Sequence, residues 1–259
     1  MGRGHLKAII LAAGYATRLR PLTDRVPKQL LPVGGRPLVD WILAKVRETE
    51  ADEIHLVTNA RFAVDFARWA EGSEVRVHDD GTTSNDDRLG AIGDIRFVIE
   101  QAGLDDDLLV IAGDNLFDFS LADYVAYWRA KEGGSCLAVY DVGDIELAKL
   151  YGVVEVDEHD RVIGFVEKPA APASTLAATA AYLYTREHAR LIGRYLEDGN
   201  APDQPGNFVA WLHTRAPVYA YRFAGDWHDV GDPDQLLAAD NRLRAQVGLP
   251  LRQTYSLPE

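Results

Sequence analysis

Apolar positions along this chain come in short runs separated by stretches of helical period. Residues 7–12 form an almost unbroken apolar run, the texture of a strand buried on both faces. Leu38, Ile42 and Val46 then recur every fourth residue with Val39 and Leu43 beside them, so 37–48 is predicted as a helix packed on that strand. Further strands are predicted at 53–58, 74–78, 95–100 and 108–112, with apolar stripes such as Phe62, Phe66 and Trp69 between them. From Ser135 the runs shorten, to 136–140, 153–156, 162–167, 181–184 and 218–223, which predicts more antiparallel pairing. Asp157, Glu158, His159 and Asp160 separate two alternating runs, a hairpin signal. Ala239, Leu243 and Val247 give a terminal helix its buried stripe, with Asp232 as N-cap, Pro233 at the first helical position and Gly248 as the stop.

This alternation predicts an α/β fold: a Rossmann-like three-layer α/β/α body with a mixed, mostly parallel central sheet and a smaller β-rich lobe. No repeat, low-complexity tract or long linker interrupts it, so residues 1–259 are expected to form one domain, with lobes at 1–134 and 135–232 and a C-terminal helix at 233–247.

Composition narrows the function. With 47% apolar residues the 259-residue chain can bury one sizeable core. Its 27 Lys and Arg against 40 Asp and Glu leave a formal charge of −13, which disfavours nucleic acid and anionic membranes as partners. A phosphorylated substrate remains compatible if the few cations converge in one cleft. The single cysteine, Cys136, sits among apolar neighbours and is expected to be a buried small hydrophobe. Met1 to Lys7 is basic, but the apolar run after it stops at Gly14, too short for a signal peptide or a membrane span. Leu6 stands where a myristoylation signal beginning at Gly2 requires Ser or Thr, so a cytoplasmic address is expected.

The candidate chemistry begins directly after the first strand. Leu11, Ala12, Ala13 and Gly14 leave backbone N–H groups open to a phosphate chain, and Arg18 and Lys28 follow with positive charge. Neither a P-loop nor a Gly-x-Gly-x-x-Gly fingerprint is present. Asp114 lies just past the end of the 108–112 run, the ligand edge of an open α/β sheet, where a carboxylate suits Mg²⁺. A second acidic cluster, Asp226, Trp227, His228 and Asp229, precedes the terminal helix, and capping there explains Asp232 but not Asp229.

The segment from Leu11 to Val33, with Pro27-Lys-Gln-Leu-Leu-Pro at its end, resembles the signature of sugar-1-phosphate nucleotidyltransferases, and similar features extend over nearly the whole chain. The resemblance implies an enzyme that joins a nucleoside monophosphate from an NTP to a sugar-1-phosphate, with Mg²⁺ held by Asp114 and Asp229. It implies catalytic roles for Arg18, Lys28 and Lys168, and a nucleotide site built from Leu11, Ala12, Ala13, Gly14, Asn85, Gly90 and Asp114. The acceptor site would comprise Asn115, Gly152, Glu167, Lys168, Thr179 and Trp227, with His228 bordering it and Gly152 leaving room for the sugar ring. The family commonly associates into dimers or tetramers, so a homo-oligomer is one expectation.

Two positions depart from the family pattern. Ala16 stands where the family usually has Gly, and a methyl group in that tight turn requires negative φ. Thr179-Ala-Ala-Tyr replaces Thr-Gly-x-Tyr, placing a methyl at Ala180. Asn85 and its polar neighbours replace the base-reading Gln of thymidylyl and uridylyl members, and look closer to cytidylyltransferases acting on choline or cyclitol phosphates. The base therefore stays open among dTTP, UTP, CTP, GTP and ATP. Two other classes compete. Asp105-Asp-Asp107 fits the Asp-x-Asp motif of glycosyltransferases, but it precedes a strand and reads as a solvated turn at the wrong edge. A non-catalytic nucleotide-binding regulator would retain the fold without needing all five charges.

Overall fold

The computed structural model describes residues 5–257, so Gly2 and the start of the basic segment lie outside the described residues. In chain order the elements are β1 (Leu6–Leu11), β2 (Pro32–Val33), β3 (Arg36–Pro37), α1 (Leu38–Arg47), β4 (Glu53–Thr58), α2 (Ala63–Trp69), β5 (Val75–Asp79), α3 (Ala91–Ala102), β6 (Asp107–Ala112), β7 (Asn115–Phe117) and α4 (Leu121–Ala130). They continue as β8 (Ser135–Asp141), α5 (Ile145–Ala148), β9 (Gly152–Val156), β10 (Val162–Glu167), β11 (Leu176–Tyr184), α6 (Arg186–Ala189), α7 (Leu191–Glu197), α8 (Pro205–Leu212), β12 (Val218–Phe223), β13 (Trp227–Asp229) and α9 (Pro233–Gln246).

One nine-stranded sheet runs through both halves in the order β10-β9-β11-β6-β1-β4-β5, with β8 beside β11 and β12 beside β8. The strands β6, β1, β4 and β5 are parallel to one another, while β11 runs antiparallel to β6, β8 and β9. Near-continuous apolar strands at the centre follow from this layout. Ile9 and Ile10 of β1 are both fully buried but belong to separate core clusters, one on each face. Helix α1 buries Leu38, Val39, Ile42, Leu43 and Val46, as the four-residue recurrence predicts. The hairpin over 157–160 joins β9 and β10, and Asp232 caps α9 by accepting a hydrogen bond from the backbone N–H of Gln235 at 2.8 Å. Cys136 is free and buried, and its surroundings push the thiol pKa up through desolvation.

Three expectations fail here. Residues 95–100 are not a strand but the middle of α3, where Ile92, Ile95 and Val98 recur every third residue and face the sheet. Their β-branched side chains suit a strand, yet a helix between β5 and β6 is what keeps those strands parallel. Val247 is not part of the buried stripe of α9: the helix ends at Gln246 and Val247 turns outward, 49% exposed. Ala16 does not have negative φ but sits at φ +45°, and Ala180 sits at φ +53°, so both alanines keep the left-handed conformation that glycine favours.

Candidate active site

Every strand of the parallel half ends at the same edge, and a cleft of about 470 Å³ opens there between the two halves. Fourteen of the sixteen sequence-predicted site residues line it: Leu11, Ala13, Gly14, Arg18, Lys28, Asn85, Gly90, Asp114, Asn115, Gly152, Glu167, Lys168, Trp227 and Asp229.

Two short strands unmarked in the sequence pattern bring the acidic residues together. β7 pairs antiparallel with β13 so that Asn115 is opposite Asp229, and the Val230 N–H donates to the Asp114 carbonyl at 3.0 Å. The Asn115 amide nitrogen reaches Oδ1 of Asp114 at 2.9 Å and Oδ1 of Asp229 at 3.4 Å. Its own oxygen accepts from the Trp227 indole N–H at 2.7 Å. Asn115 therefore holds the two carboxylates and the tryptophan in one frame.

Positive charge surrounds that frame. Lys28, buried on the turn after Pro27, ion-pairs with Asp114 and donates to the Val230 carbonyl at 2.9 Å. Arg18 is exposed, with its guanidinium nitrogen 3.2 Å from where a Cβ on Gly231 would stand, so the bare backbone at Gly231 lets it approach. Lys168 closes β10 at φ +46°, held by its N–H on the Tyr151 carbonyl at 3.0 Å.

The two carboxylates differ electrostatically. Desolvation raises the Asp114 pKa, but the Lys28 charge and hydrogen bond outweigh it and the net shift is downward. Desolvation and then the Asp114 charge push Asp229 up to about 6, against the opposing pull of Lys28, Arg18 and Lys168. Two carboxylates bridged by one amide, with one member destabilised as an anion, fit a divalent cation, and their hard oxygen donors suit Mg²⁺. Among the described residues no group of three or more His, Cys, Asp or Glu side chains forms a closed metal cage.

Two predicted residues lie outside the cleft wall. The Ala12 N–H donates to the Val57 carbonyl at 2.9 Å, and its side chain is buried in the core. Thr179 is buried and donates from its hydroxyl to the Ala138 carbonyl at 3.0 Å, while Ala178 and Ala180 face the cleft on either side of it in a bulged stretch of β11. His228 does not border the site either. Strand alternation turns Trp227 and Asp229 to the cleft and His228 to a separate cavity of about 160 Å³ behind the β7–β13 ribbon. Nor does Gly152 hold space for a ring: a Cβ there would meet the Phe165 ring tip at 2.6 Å and Oε2 of Glu167 at 2.8 Å, so those side chains fill the space. Asp105 lies at the opposite end of β6 and pairs with Arg186 and Arg190, which agrees with a solvated turn and not a metal motif.

Sequence reasoning missed Tyr15, Asp80 and Asp94 at one end of the cleft and Gly206 at the other. Asp80 carried a legible signal, since it follows β5 at the same sheet edge as Asp114. Gly206 carried none, because its role depends on the approach of α8 to β10.

Known proteins resemble this chain in fold and sequence. A Bacillus anthracis protein solved with bound sucrose, and provisionally assigned as a glucose-1-phosphate thymidylyltransferase, superposes with a TM-score of 0.76 at 24% identity, covering 92% of this chain and 95% of that one; at this identity it supports the fold alone. A UTP–glucose-1-phosphate uridylyltransferase of Synechocystis is 31% identical over 93% of this chain and 64% of its own length. A glucose-1-phosphate adenylyltransferase of Thermotoga is 29% identical over 88% of this chain and 58% of its own length. The chain thus spans about three fifths of the length of these curated relatives. The sequence profile described as Nucleotidyl transferase matches residues 7–246, so the chain belongs to the nucleotidyl transferase family.

Proposed function

We propose that this chain transfers a nucleoside monophosphate from an NTP to a sugar-1-phosphate, forming an NDP-sugar and pyrophosphate. The observation that carries the reading is the Asn115 amide bridging Asp114 and Asp229 within reach of three cationic side chains. An oxygen of the acceptor phosphate attacks the α-phosphorus in line, the new P–O bond forms, and the bond to the β-phosphate oxygen breaks on the opposite side. No protein nucleophile takes part. Lys168 orients the attacking phosphate, Arg18 and Lys28 stabilise charge on the α-phosphate and the departing pyrophosphate, and Glu167 accepts hydrogen bonds from sugar hydroxyls. Trp227, fixed by Asn115, walls the acceptor side. Asp114 and Asp229 would hold Mg²⁺, which would supply neutralisation of phosphate charge. Residues 1–134 bind the nucleotide and 135–232 the acceptor, within one domain.

The test crosses the five NTPs with glucose-, mannose- and N-acetylglucosamine-1-phosphate, inositol phosphate and choline phosphate in the presence of Mg²⁺, reading pyrophosphate release. At least one sugar-1-phosphate pair should turn over, and Asp229→Ala should abolish it. Turnover confined to choline or inositol phosphate with CTP would move the chain to the cytidylyltransferase alternative. NTP binding without pyrophosphate release from any pair would leave a regulator.

A further inference from the structure

Residues 83–90 lie between β5 and α3 at the nucleotide end of the cleft, where Asn85, Arg88 and Gly90 form part of the wall together with Asp203 and Gln204 from the turn between α7 and α8. Backbone contacts dock one end of this segment on that turn. Gly90, at φ +78°, lies so close that a Cβ there would stand 2.7 Å from the Pro202 carbonyl oxygen, and the N–H groups of Ala91 and Ile92 donate to the Asp203 and Pro202 carbonyls at 3.3 and 2.8 Å. The exposed tip is folded on itself: the Asp87 carboxylate accepts from the Thr83 N–H at 3.0 Å and from the Ser84 N–H at 2.7 Å.

One side chain ties the tip to the turn. Nε of Arg88 donates to Oδ1 of Asp203 at 2.9 Å, and Nη1 of the same guanidinium donates to the Asn85 carbonyl at 2.5 Å. Among the described residues this is the one hydrogen bond that holds Asn85, whose side-chain amide pairs with no other group and lines the cleft. With side chains 43% and 48% exposed, Arg88 and Asp203 form an ion pair that solvent screens, so its contribution to stability is small. A planar guanidinium spanning two acceptors on separate segments fixes geometry instead.

We propose that Arg88 is a positioning residue for the nucleoside part of a bound NTP: it holds the Asn85 backbone so that the Asn85 amide stays presented to the cleft. A side-chain amide carries both a donor and an acceptor and can pair with the edge of any base, so Arg88 governs how tightly the nucleoside is held and not which base is chosen. Fixing the amide before the ligand arrives removes the cost of ordering it from the binding step. The inference rests on the cleft binding an NTP, as the proposed function requires.

The experiment is calorimetric titration of the whole chain with CTP, ATP, GTP, UTP, dTTP and inorganic tripolyphosphate in the presence of Mg²⁺, for the wild type, Arg88→Ala, Asn85→Ala and the double variant, accompanied by melting curves. Arg88→Ala should weaken every NTP that the wild type binds by about fivefold, the worth of one neutral hydrogen bond, and Asn85→Ala should do the same. The double variant should bind no more weakly than Asn85→Ala, because removing the tether and removing the amide it holds delete the same contact. Tripolyphosphate, which lacks a nucleoside, should bind Arg88→Ala as it binds the wild type, and Tm should stay within about 2 °C. If Arg88→Ala fails to fold, Arg88→Lys decides by the same comparison, since it keeps the charge but loses the fork. Equal weakening of tripolyphosphate would make Arg88 a phosphate ligand and overturn the proposal, as would losses that multiply in the double variant or NTP affinity unchanged in a folded Arg88 variant. Because binding needs no acceptor, the expected pattern without pyrophosphate release would remove the reaction and keep the positioning role. Absence of binding by every NTP in the wild type would remove both.

Discussion

Gly206→Ala tests how the cleft wall around Glu167 is shaped. Gly206 lies in the first turn of α8, and a Cβ there would stand 2.4 Å from the Phe165 ring tip, 2.8 Å from its neighbour Cε1 and 2.9 Å from Oε2 of Glu167. The same two side chains meet the bare backbone of Gly152 from the other direction, at 2.6 and 2.8 Å from its hypothetical Cβ. Ring and carboxylate are thus clamped between two glycines, and the added methyl displaces both by roughly 1 Å, the gap between these distances and ordinary carbon contacts of about 3.5–4.0 Å. Overpacking of this kind costs about 1–3 kcal/mol, while replacing a helical glycine by alanine returns up to about 1 kcal/mol. The net loss of about 1–2 kcal/mol should lower Tm by roughly 2–6 °C in a domain of this size. Moving the Glu167 carboxylate should raise KM for the sugar-1-phosphate about tenfold, equivalent to about 1.4 kcal/mol, with KM for the NTP unchanged. Steady-state kinetics and thermal melting read the two effects separately. A lowered Tm with an unchanged acceptor KM would refute the role of Glu167; no change in either would refute the clamp.

Two further outcomes follow from backbone and charge. Ala16 at φ +45° carries a left-handed penalty of about 1–2 kcal/mol, so Ala16→Gly should raise stability by about 0.5–1 kcal/mol after the chain-entropy cost of glycine, whereas the β-branched Ala16→Val should lower it; thermal melting that ranks Val above Gly would contradict the strain. Desolvation and the Asp114 charge raise Asp229 to about 6, above its value in the unfolded chain, so its anion is disfavoured by folding and the associated stability is lost as pH rises through 6. Mg²⁺ competes with that proton, and it should raise Tm at pH 7.5 but hardly at pH 5; equal increments at both would exclude Asp229 as a ligand.

Much of this site could be read before any coordinates because its residues sit at strand ends. Asp114 follows a six-residue strand whose apolar run leaves no doubt about where it stops, and Gly14 follows β1 in the same way. What stayed hidden depends on contacts between distant segments. The ribbon joining 115–117 to 227–229 has only three residues on each side, too short to show a period, yet it sets the orientation of Asn115, Trp227 and Asp229 and turns His228 away. Thr179 and Ala12 read as site residues because they fall inside matching motifs, while the register of β11 and the extra sheet hydrogen bond of Ala12 remove their polar groups from the cleft. Period misled at 95–100, where isoleucine and valine at helical spacing look like a strand unless the third-residue recurrence is followed back to Ile92.

Asn115 links these separate parts into one chemical unit. Its amide nitrogen faces both carboxylates and its oxygen takes the indole proton of Trp227, so the side chain cannot rotate without breaking bonds on the carboxylate side and the indole side together. Reversing the amide would place its oxygen against two carboxylates, which fixes its orientation electrostatically. Trp227 in turn packs edge-on against Tyr151 at 4.8 Å, and the Tyr151 carbonyl anchors Lys168. A continuous path therefore runs from Asp114 and Asp229 through Asn115, Trp227 and Tyr151 to Lys168, placing the cation that would hold the attacking phosphate in register with the carboxylates that would hold the ion. In the proposed reaction, shared supports of this kind would keep the attacking oxygen and the α-phosphorus aligned even though their holders come from different halves of the sheet.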